Sequence, residues 1–410
     1  MRTAYSFTES KTIWAAAQQL IAGGSQGTRQ PETDEAPIYF ERAKGCRMWD
    51  VDGNEFIDLL CSIGPILLGY AYDRVDDAAR NIMESSFQSS MNHPIQLELA
   101  RLLIDYVPCA ERVRFLKTGT EATQAAVRVA RQITGRAHVA RHGYHGWADM
   151  FKRGCGINTG VHHGAWDTVY EFDGSPTGLQ RLFKETGESF ACVILCPMDT
   201  RPFTTENFQG IVDAAHDHGA VVIFDEIKSG FRRALGGAQE VLGVTPDLTT
   251  LSKGMANGYP LSAVVGKADC MAHFSETPTA GTFSVEALSI AASLATLKEL
   301  KERQVIEHNN RLGQRLIDGL NRIVADHGID GPLAYPDPFP ATPRFMFKPH
   351  TEEFADPAHR YFFSECYRYG LYFSSWHVGF ICFSHQETDI DEALNICDFV
   401  MSKVKRKFYD

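Results

Sequence analysis

Between residues 113 and 266 the chain alternates short apolar runs with longer stretches of helical periodicity. The apolar runs cover residues 113–117, 136–140, 190–195, 220–224 and 261–266, and the helical patterns 120–133 and 207–218. Runs such as Phe-Ala-Cys-Val-Ile-Leu (190–195) are apolar without alternation, as in strands covered on both faces. Strands separated by helices predict a mostly parallel sheet with helices on both sides. Outside this region the pattern changes. Residues 10–22 form an amphipathic helix stopped by Gly23-Gly24. Asp52-Gly53 lies between alternating apolar stretches, a hairpin signal. Helical patterns follow at 74–87 and 94–106, and a long one at 284–302 leads out of the central region. After residue 304 the order is helix, strands, helix, with the last helix over 388–404. The expected division is 61–300 as a large α/β domain, with 1–60 and 301–410 together forming a smaller α+β domain.

Composition narrows the classes. With 410 residues, 44% hydrophobic and 22% charged, the chain has ordinary globular make-up and enough length for two cores. A formal charge of −11 argues against nucleic-acid partners, which call for a basic face. No basic and apolar leader opens the sequence, and no apolar run approaches the roughly 18 residues of a membrane span. The ten cysteines are scattered without paired metal-ligand spacing, so free thiols, no metal and a cytoplasmic location are expected.

Two residues carry the candidate chemistry. Asp225 ends the run Val-Val-Ile-Phe-Asp (221–225), placing a carboxylate at the C-terminal end of a strand, where open α/β sheets meet their ligands. Lys253 stands among small and apolar residues in Asp-Leu-Thr-Thr-Leu-Ser-Lys-Gly (247–254). Desolvation lowers an amine's proton affinity and makes it nucleophilic towards carbonyls. A carbonyl-binding lysine and an aspartate able to hold a pyridinium nitrogen are together what pyridoxal phosphate chemistry requires. A third motif, Lys117-Thr-Gly-Thr-Glu-Ala-Thr123, follows a strand and opens a helix. Gly119 and Thr120 can meet a phosphate there; Thr118 with Glu121 also reads as a simple capping box.

The segments Phe224-Asp-Glu-Ile-Lys-Ser-Gly-Phe-Arg232, Ala234 to Glu240 and Gly243 to Lys253 resemble the class III (subgroup II) PLP-dependent aminotransferases. Within them they are most similar to the glutamate-1-semialdehyde aminomutase branch. The resemblance runs from about Ile38 to Leu300. It implies PLP fold type I, the aspartate aminotransferase-like α/β fold, with pyridoxal 5'-phosphate (PLP) as cofactor. It implies that Lys253 carries PLP as a Schiff base and that Asp225 keeps the ring nitrogen protonated. Thr118-Gly119-Thr120-Glu121-Ala122 resembles the family's Ser-Gly-Thr-Glu-Ala phosphate loop, with Thr118 for the usual Ser, which assigns the phosphate to Gly119 and Thr120. In Gly143-Tyr-His-Gly-Trp147, Tyr144 takes the ring-stacking role with His145 in support, and Ile227 packs on the opposite ring face. Thr282, in Ala280-Gly-Thr-Phe283, reaches the phosphate of the partner subunit's cofactor in the family, which implies a homodimer with shared active sites; Thr282 also reads as a helix cap.

Departures from the aminomutase pattern cluster where substrate lies. Arg29 follows a Gly-rich loop one residue shorter than usual, and is either the carboxylate-binding arginine or a solvated surface residue. The usual Glu-Pro is Cys196-Pro197, followed by Arg201. Ser375-Trp-His-Val-Gly-Phe380 places His377 where the aminomutase has an acid, and Ser62-Ile63-Gly64-Pro65 lacks an aromatic. Trp147, Arg29, Arg201 and His377 are the candidate substrate contacts. A retained cofactor site with a changed pocket implies transfer between an amino donor, such as glutamate, and a carbonyl acceptor. The alternatives are the aminomutase or another PLP isomerase, and a catalytically silent PLP-fold binding protein.

Overall fold

The computed structural model describes residues 3–26, 39–85, 87–151, 159–348 and 356–410. The chain divides into two compact units, Asp73–Ile306 and Met1–Tyr72 with Glu307–Asp410.

The first unit is built on a seven-stranded sheet. Its strands are β1 (Arg112–Leu116), β2 (His138–His142), β3 (Val169–Glu171), β4 (Phe190–Leu195), β5 (Val221–Asp225), β6 (Leu248–Leu251) and β7 (Ser262–Gly266), in the order β1-β7-β6-β5-β4-β2-β3. All neighbours pair in parallel except β7, which runs antiparallel to both β1 and β6. Every residue of β4, β5 and β7 is buried, which is why their sequences are apolar without alternation apart from Asp225 and Ser262 at strand ends. Helix α1 (Gly119–Thr134) buries Ala122, Ala126 and Val129 in a core with Ile194 and Ile223. Helices α2 (Pro176–Thr186) and α3 (Thr205–Asp217) contribute to a second core with Val193, Val222 and Phe224. The two cores share the strands of one sheet, whose alternate residues point to opposite faces. Strands β3 and β6 and helix α2 were not evident in the pattern. The long helix runs over Leu288–Glu302 rather than from 284.

The second unit holds a four-stranded sheet. Phe40–Lys44, Arg47–Asp50 and Glu55–Asp58 are antiparallel neighbours, and Leu371–Tyr372 adds in parallel. The turn at Asp52-Gly53 closes as expected: Gly53 has φ 83° and Asn54 N–H donates to Asp50 Oδ1 at 2.8 Å. Helices over Val305–His327, Pro357–Arg368 and Glu387–Phe408 pack Leu312, Leu316, Phe362, Ile390 and Val400 into its core. The division falls at 72/73 and 306/307, not at 60/61 and 300/301. Residues 61–72 belong with the C-terminal part because they bond to it: Phe383 N–H donates to Leu67 O at 2.8 Å, and Ser384 N–H to Leu68 O at 3.0 Å. No helix among the described residues is long and apolar enough to cross a membrane.

Gly313 sits inside the helix Val305–His327, where glycine is normally about 1 kcal/mol worse than alanine. A Cβ built there would lie 1.9 Å from Pro340 O, a backbone atom that cannot turn aside. Gly313→Ala is therefore expected to destabilise this unit by about 1–3 kcal/mol, as overpacking does. Calorimetry of the two proteins checks this; an unchanged or raised Tm would show that the close approach relaxes.

Candidate active site

Strand β5 ends in Asp225, whose carboxylate is 3% exposed. A buried carboxylate needs partners, and Asp225 has three. Oδ2 lies 2.8 Å from Nδ1 of His145, while Oδ1 accepts from Thr250 Oγ1 at 3.1 Å and from Ile227 N–H at 3.2 Å. Thr250 comes from the adjacent strand β6, and His145 from the turn after β2. His145 is itself buried, edge-on to Phe151 with ring centroids 5.3 Å apart. Its Nε2 has no hydrogen-bond partner among the described residues.

The turn carrying His145 is held tightly. Gly143 and Gly146 have φ of 92° and 102°, a region that disfavours side chains. A Cβ on Gly146 would lie 2.4 Å from Thr120 Oγ1, and one on Gly143 2.8 Å from Cys196 Cβ. His145 O accepts from Thr123 Oγ1 at 2.9 Å. The turn thus rests directly on the first turn of α1. Tyr144 is 54% exposed at its rim, with its N–H donating to Asp199 Oδ2 at 3.3 Å, and Trp147 is 73% exposed.

At the start of α1 the capping-box reading holds. Thr118 Oγ1 accepts from Glu121 N–H at 3.3 Å, and Glu121 Oε2 accepts from Thr118 N–H at 2.8 Å. This does not compete with anion binding. The box uses the N–H groups of Thr118 and Glu121 and leaves those of Gly119 and Thr120, which have no acceptor within a helix. A Cβ on Gly119 would lie 2.8 Å from Cδ1 of Ile227, so the glycine lets the helix start close against the segment after Asp225. A cavity of about 500 Å³ opens beside this helix start, lined by Thr118, Thr120, Gln124, Arg128, Trp147 and Gly281 among others.

Lys253 follows β6 and adopts φ 46°, left-handed for a residue with a side chain. Its neighbours pin this turn: Ser252 Oγ donates to Leu261 O and Ser293 Oγ to Met255 O, both at 2.8 Å. Burial pushes the Lys253 amine down to about 8; the positive charges of Lys228 and Arg232 add to this, and Cys196 and Asp225 oppose it. Asp199 would be raised by burial, but Lys228 and the Tyr144 N–H hold it below the usual carboxylate range.

One cluster thus joins Asp225, His145, Ile227, Gly119, Thr120 and Lys253, with Tyr144 at its edge. Thr282 is exposed, its carbonyl accepting from Gln88 Nε2 at 3.0 Å, and joins no bond of this cluster. Arg201 folds onto its own turn, donating to Met198 O at 2.7 Å and Thr200 O at 3.0 Å. His377 belongs to the other unit, where Nδ1 lies 3.0 Å from Val378 O. Arg29 lies outside the described residues. Thr250, Asp199 and Lys228 escaped the sequence reading. Thr250 lies three residues before Lys253, but its strand β6 carries no apolar signature; nothing in the pattern marks Asp199.

These residues suit PLP. The helix start offers backbone donors to a phosphate, the lysine is desolvated, and the aspartate is compensated yet keeps acceptor capacity at both oxygens. The comparisons agree. The model of the family Aminotransferase class-III matches residues 28–330. The chain is 32% identical over 410 residues to the 3-aminobutyryl-CoA aminotransferase of Cloacimonas acidaminovorans, covering 97% of both chains. It is also 32% identical to the glutamate-1-semialdehyde 2,1-aminomutase of Persephonella marina, covering 94% of this chain and 96% of the other. Among solved structures, the FumI protein of Sphingopyxis sp. MTA144 in its PLP form superposes with TM-score 0.90 at 27% identity, over 98% of this chain and 97% of that one.

Because Lys253 titrates near 8 while ordinary lysines titrate near 10.4, it should stand out chemically. In apoprotein treated with a limiting amine-acylating reagent at pH 8, peptide mass spectrometry should show Lys253 modified ahead of surface lysines. Modification should be half-maximal close to pH 8. A profile for Lys253 that matches the surface lysines would remove the argument from burial.

Proposed function

We propose that this chain, which belongs to the class-III aminotransferase family, moves an amino group from an amino-acid donor such as glutamate to a polar carbonyl acceptor: a keto-sugar, a keto acid or a semialdehyde. The observation that carries this reading is the compensated burial of Asp225 in one cluster with the depressed amine of Lys253.

Bound PLP supplies a carbonyl for amines and an electron sink for the bond cleaved next to nitrogen. The chain's own residues do the rest. Gly119 and Thr120 would hold the phosphate with N–H groups at the start of α1. Asp225, oriented by His145 and Thr250, would present its carboxylate to the ring nitrogen and keep a proton there. Tyr144 and Ile227 would pack against the ring. With PLP bound, Lys253 Nζ would take a proton from the substrate carbon and deliver it, from the same side, to the cofactor carbon that shares the substrate nitrogen. An amine titrating near 8 is partly neutral at physiological pH and can act as that base.

The catalytic unit is a homodimer in this reading. Thr282 is exposed and near Phe283, which is 63% exposed; Phe87, Met91 and Leu97 of the same unit are also exposed apolar residues suited to a partner surface. Nine free thiols among the described residues accord with a cytoplasmic location. Arg29 is a candidate contact for an anionic group of the donor or the acceptor. The similarity to a 3-aminobutyryl-CoA aminotransferase supports a β-amino acid as one of the substrates. The relation to glutamate-1-semialdehyde 2,1-aminomutases supports a second reading, in which the amino group is moved within one molecule.

Borohydride reduction of the PLP-loaded protein should fix the cofactor on Lys253, and Lys253→Ala should lose nearly all turnover. Asp225→Asn should cost at least about a hundredfold in rate, roughly 2.7 kcal/mol. With ¹⁵N-labelled donors, label in a second molecule identifies the aminotransferase, and label retained in an isomerised substrate the aminomutase. Label on a different lysine would refute the site.

Shared active sites are checked by mixing Lys253→Ala and Thr282→Ala subunits. In the heterodimer one site carries both lesions and the other neither, so activity should exceed that of either parent. No gain despite proven subunit exchange would reject the role of Thr282.

A further inference from the structure

Lys228 stands three residues after Asp225, in the turn that follows β5, with a side chain only 19% exposed. Its Nζ is 3.9 Å from Asp199 Oδ1, too long for a close charge-assisted hydrogen bond. The other oxygen of Asp199 accepts the Tyr144 N–H at 3.3 Å, and the carbonyl of Lys228 accepts from Arg232 Nε at 2.6 Å. A second ammonium is therefore kept largely out of water, near a carboxylate that is shared with another donor.

We propose that Lys228 is a positioning residue that acts through charge on the Lys253 nitrogen, keeping it unprotonated for its work as base, and that Asp199 sets how strongly it does so. This rests on the role given to Lys253 above. Asp225 and Thr250 are partners across the parallel strands β5 and β6. Lys228 and Lys253 each follow that pair by three residues, so both ammonium groups belong to the segments leaving the same end of neighbouring strands. After burial, the Lys228 charge and then that of Arg232 lower the affinity of Lys253 for a proton. The other charged and titratable groups around the site are Asp225 at the end of β5, Cys196 and Asp199 after β4, and His145 after β2. Of these, Cys196 and Asp225 act in the opposite sense on Lys253. Like charges repel more strongly where water is excluded, so an ammonium held here disfavours a second positive charge on Lys253. The sign follows. Removing the Lys228 charge should raise the proton affinity of Lys253. Removing the Asp199 charge should lower it, because the Lys228 charge is then less compensated.

The test uses pH titrations of the visible absorbance of the PLP-loaded protein, with peptide-resolved acylation of Lys253 in the apoprotein as a readout that needs no cofactor. Lys228→Met keeps the length and bulk of the side chain and removes its charge. It should move both midpoints up by about one pH unit, a tenfold gain in proton affinity. Lys228→Arg should stay close to the parent, and Asp199→Asn should move the midpoints down. A Lys228→Met midpoint within about 0.3 unit of the parent, a twofold change, overturns the proposal; so does Asp199→Asn moving in the same direction as Lys228→Met. If Lys228→Met fails to load PLP, the acylation profile of its apoprotein decides. If that variant does not fold, the direction of the Asp199→Asn shift decides. Failure of borohydride to fix PLP on Lys253 in the parent would instead reject the role of Lys253 itself, whatever Lys228 does.

Discussion

The constraint on which the site depends is the burial of a carboxylate at the end of β5. An uncompensated charge there would cost several kcal/mol, so Asp225 dictates its surroundings. It requires the His145 imidazole from the turn after β2 and the Thr250 hydroxyl from β6. Placing His145 in turn requires Gly143 and Gly146 in conformations that side chains disfavour, with Gly146 pressed on Thr120. The same turn thereby fixes the start of α1. One electrostatic requirement thus connects β2, β5, β6 and α1, which is why the ring end and the phosphate end of the proposed cofactor site share one rigid block.

Much of this was legible in the sequence because buried parallel strands leave a plain signature. The runs at 190–195 and 221–224 are apolar throughout, and Asp225 closes the second with a carboxylate at the strand's C-terminal end. Strand β6 was hidden for the converse reason. Thr249 and Thr250 are polar, yet both are fully buried and satisfied inside the fold. Thr249 Oγ1 accepts from Gln239 Nε2 at 3.1 Å and lies 3.2 Å from Cys109 Sγ, while Thr250 serves Asp225. Polar residues with partners distant in sequence do not show as a strand in a periodicity count. The same holds for Lys228 and Asp199: their relation depends on two turns that the sheet brings side by side. Substrate contacts were least legible. Arg201 donates to two carbonyls of its own turn, and Arg29 lies outside the described residues.

The boundary between the two units shows a related limit. Residues 61–72 carry no long apolar run of their own, and their assignment rests on bonds such as those from Phe383 and Ser384 to the carbonyls of Leu67 and Leu68. Partners more than 300 residues away in sequence cannot be inferred from local pattern.

The capping box of α1 has a consequence for how the protein matures. Because Thr118 and Glu121 satisfy each other, the helix start is complete without an anion, while the N–H groups of Gly119 and Thr120 stay available for one. Folding of this segment therefore has no need to wait for the cofactor. An anion such as the cofactor's phosphate can then dock on a helix start that is already formed, without breaking any of its bonds.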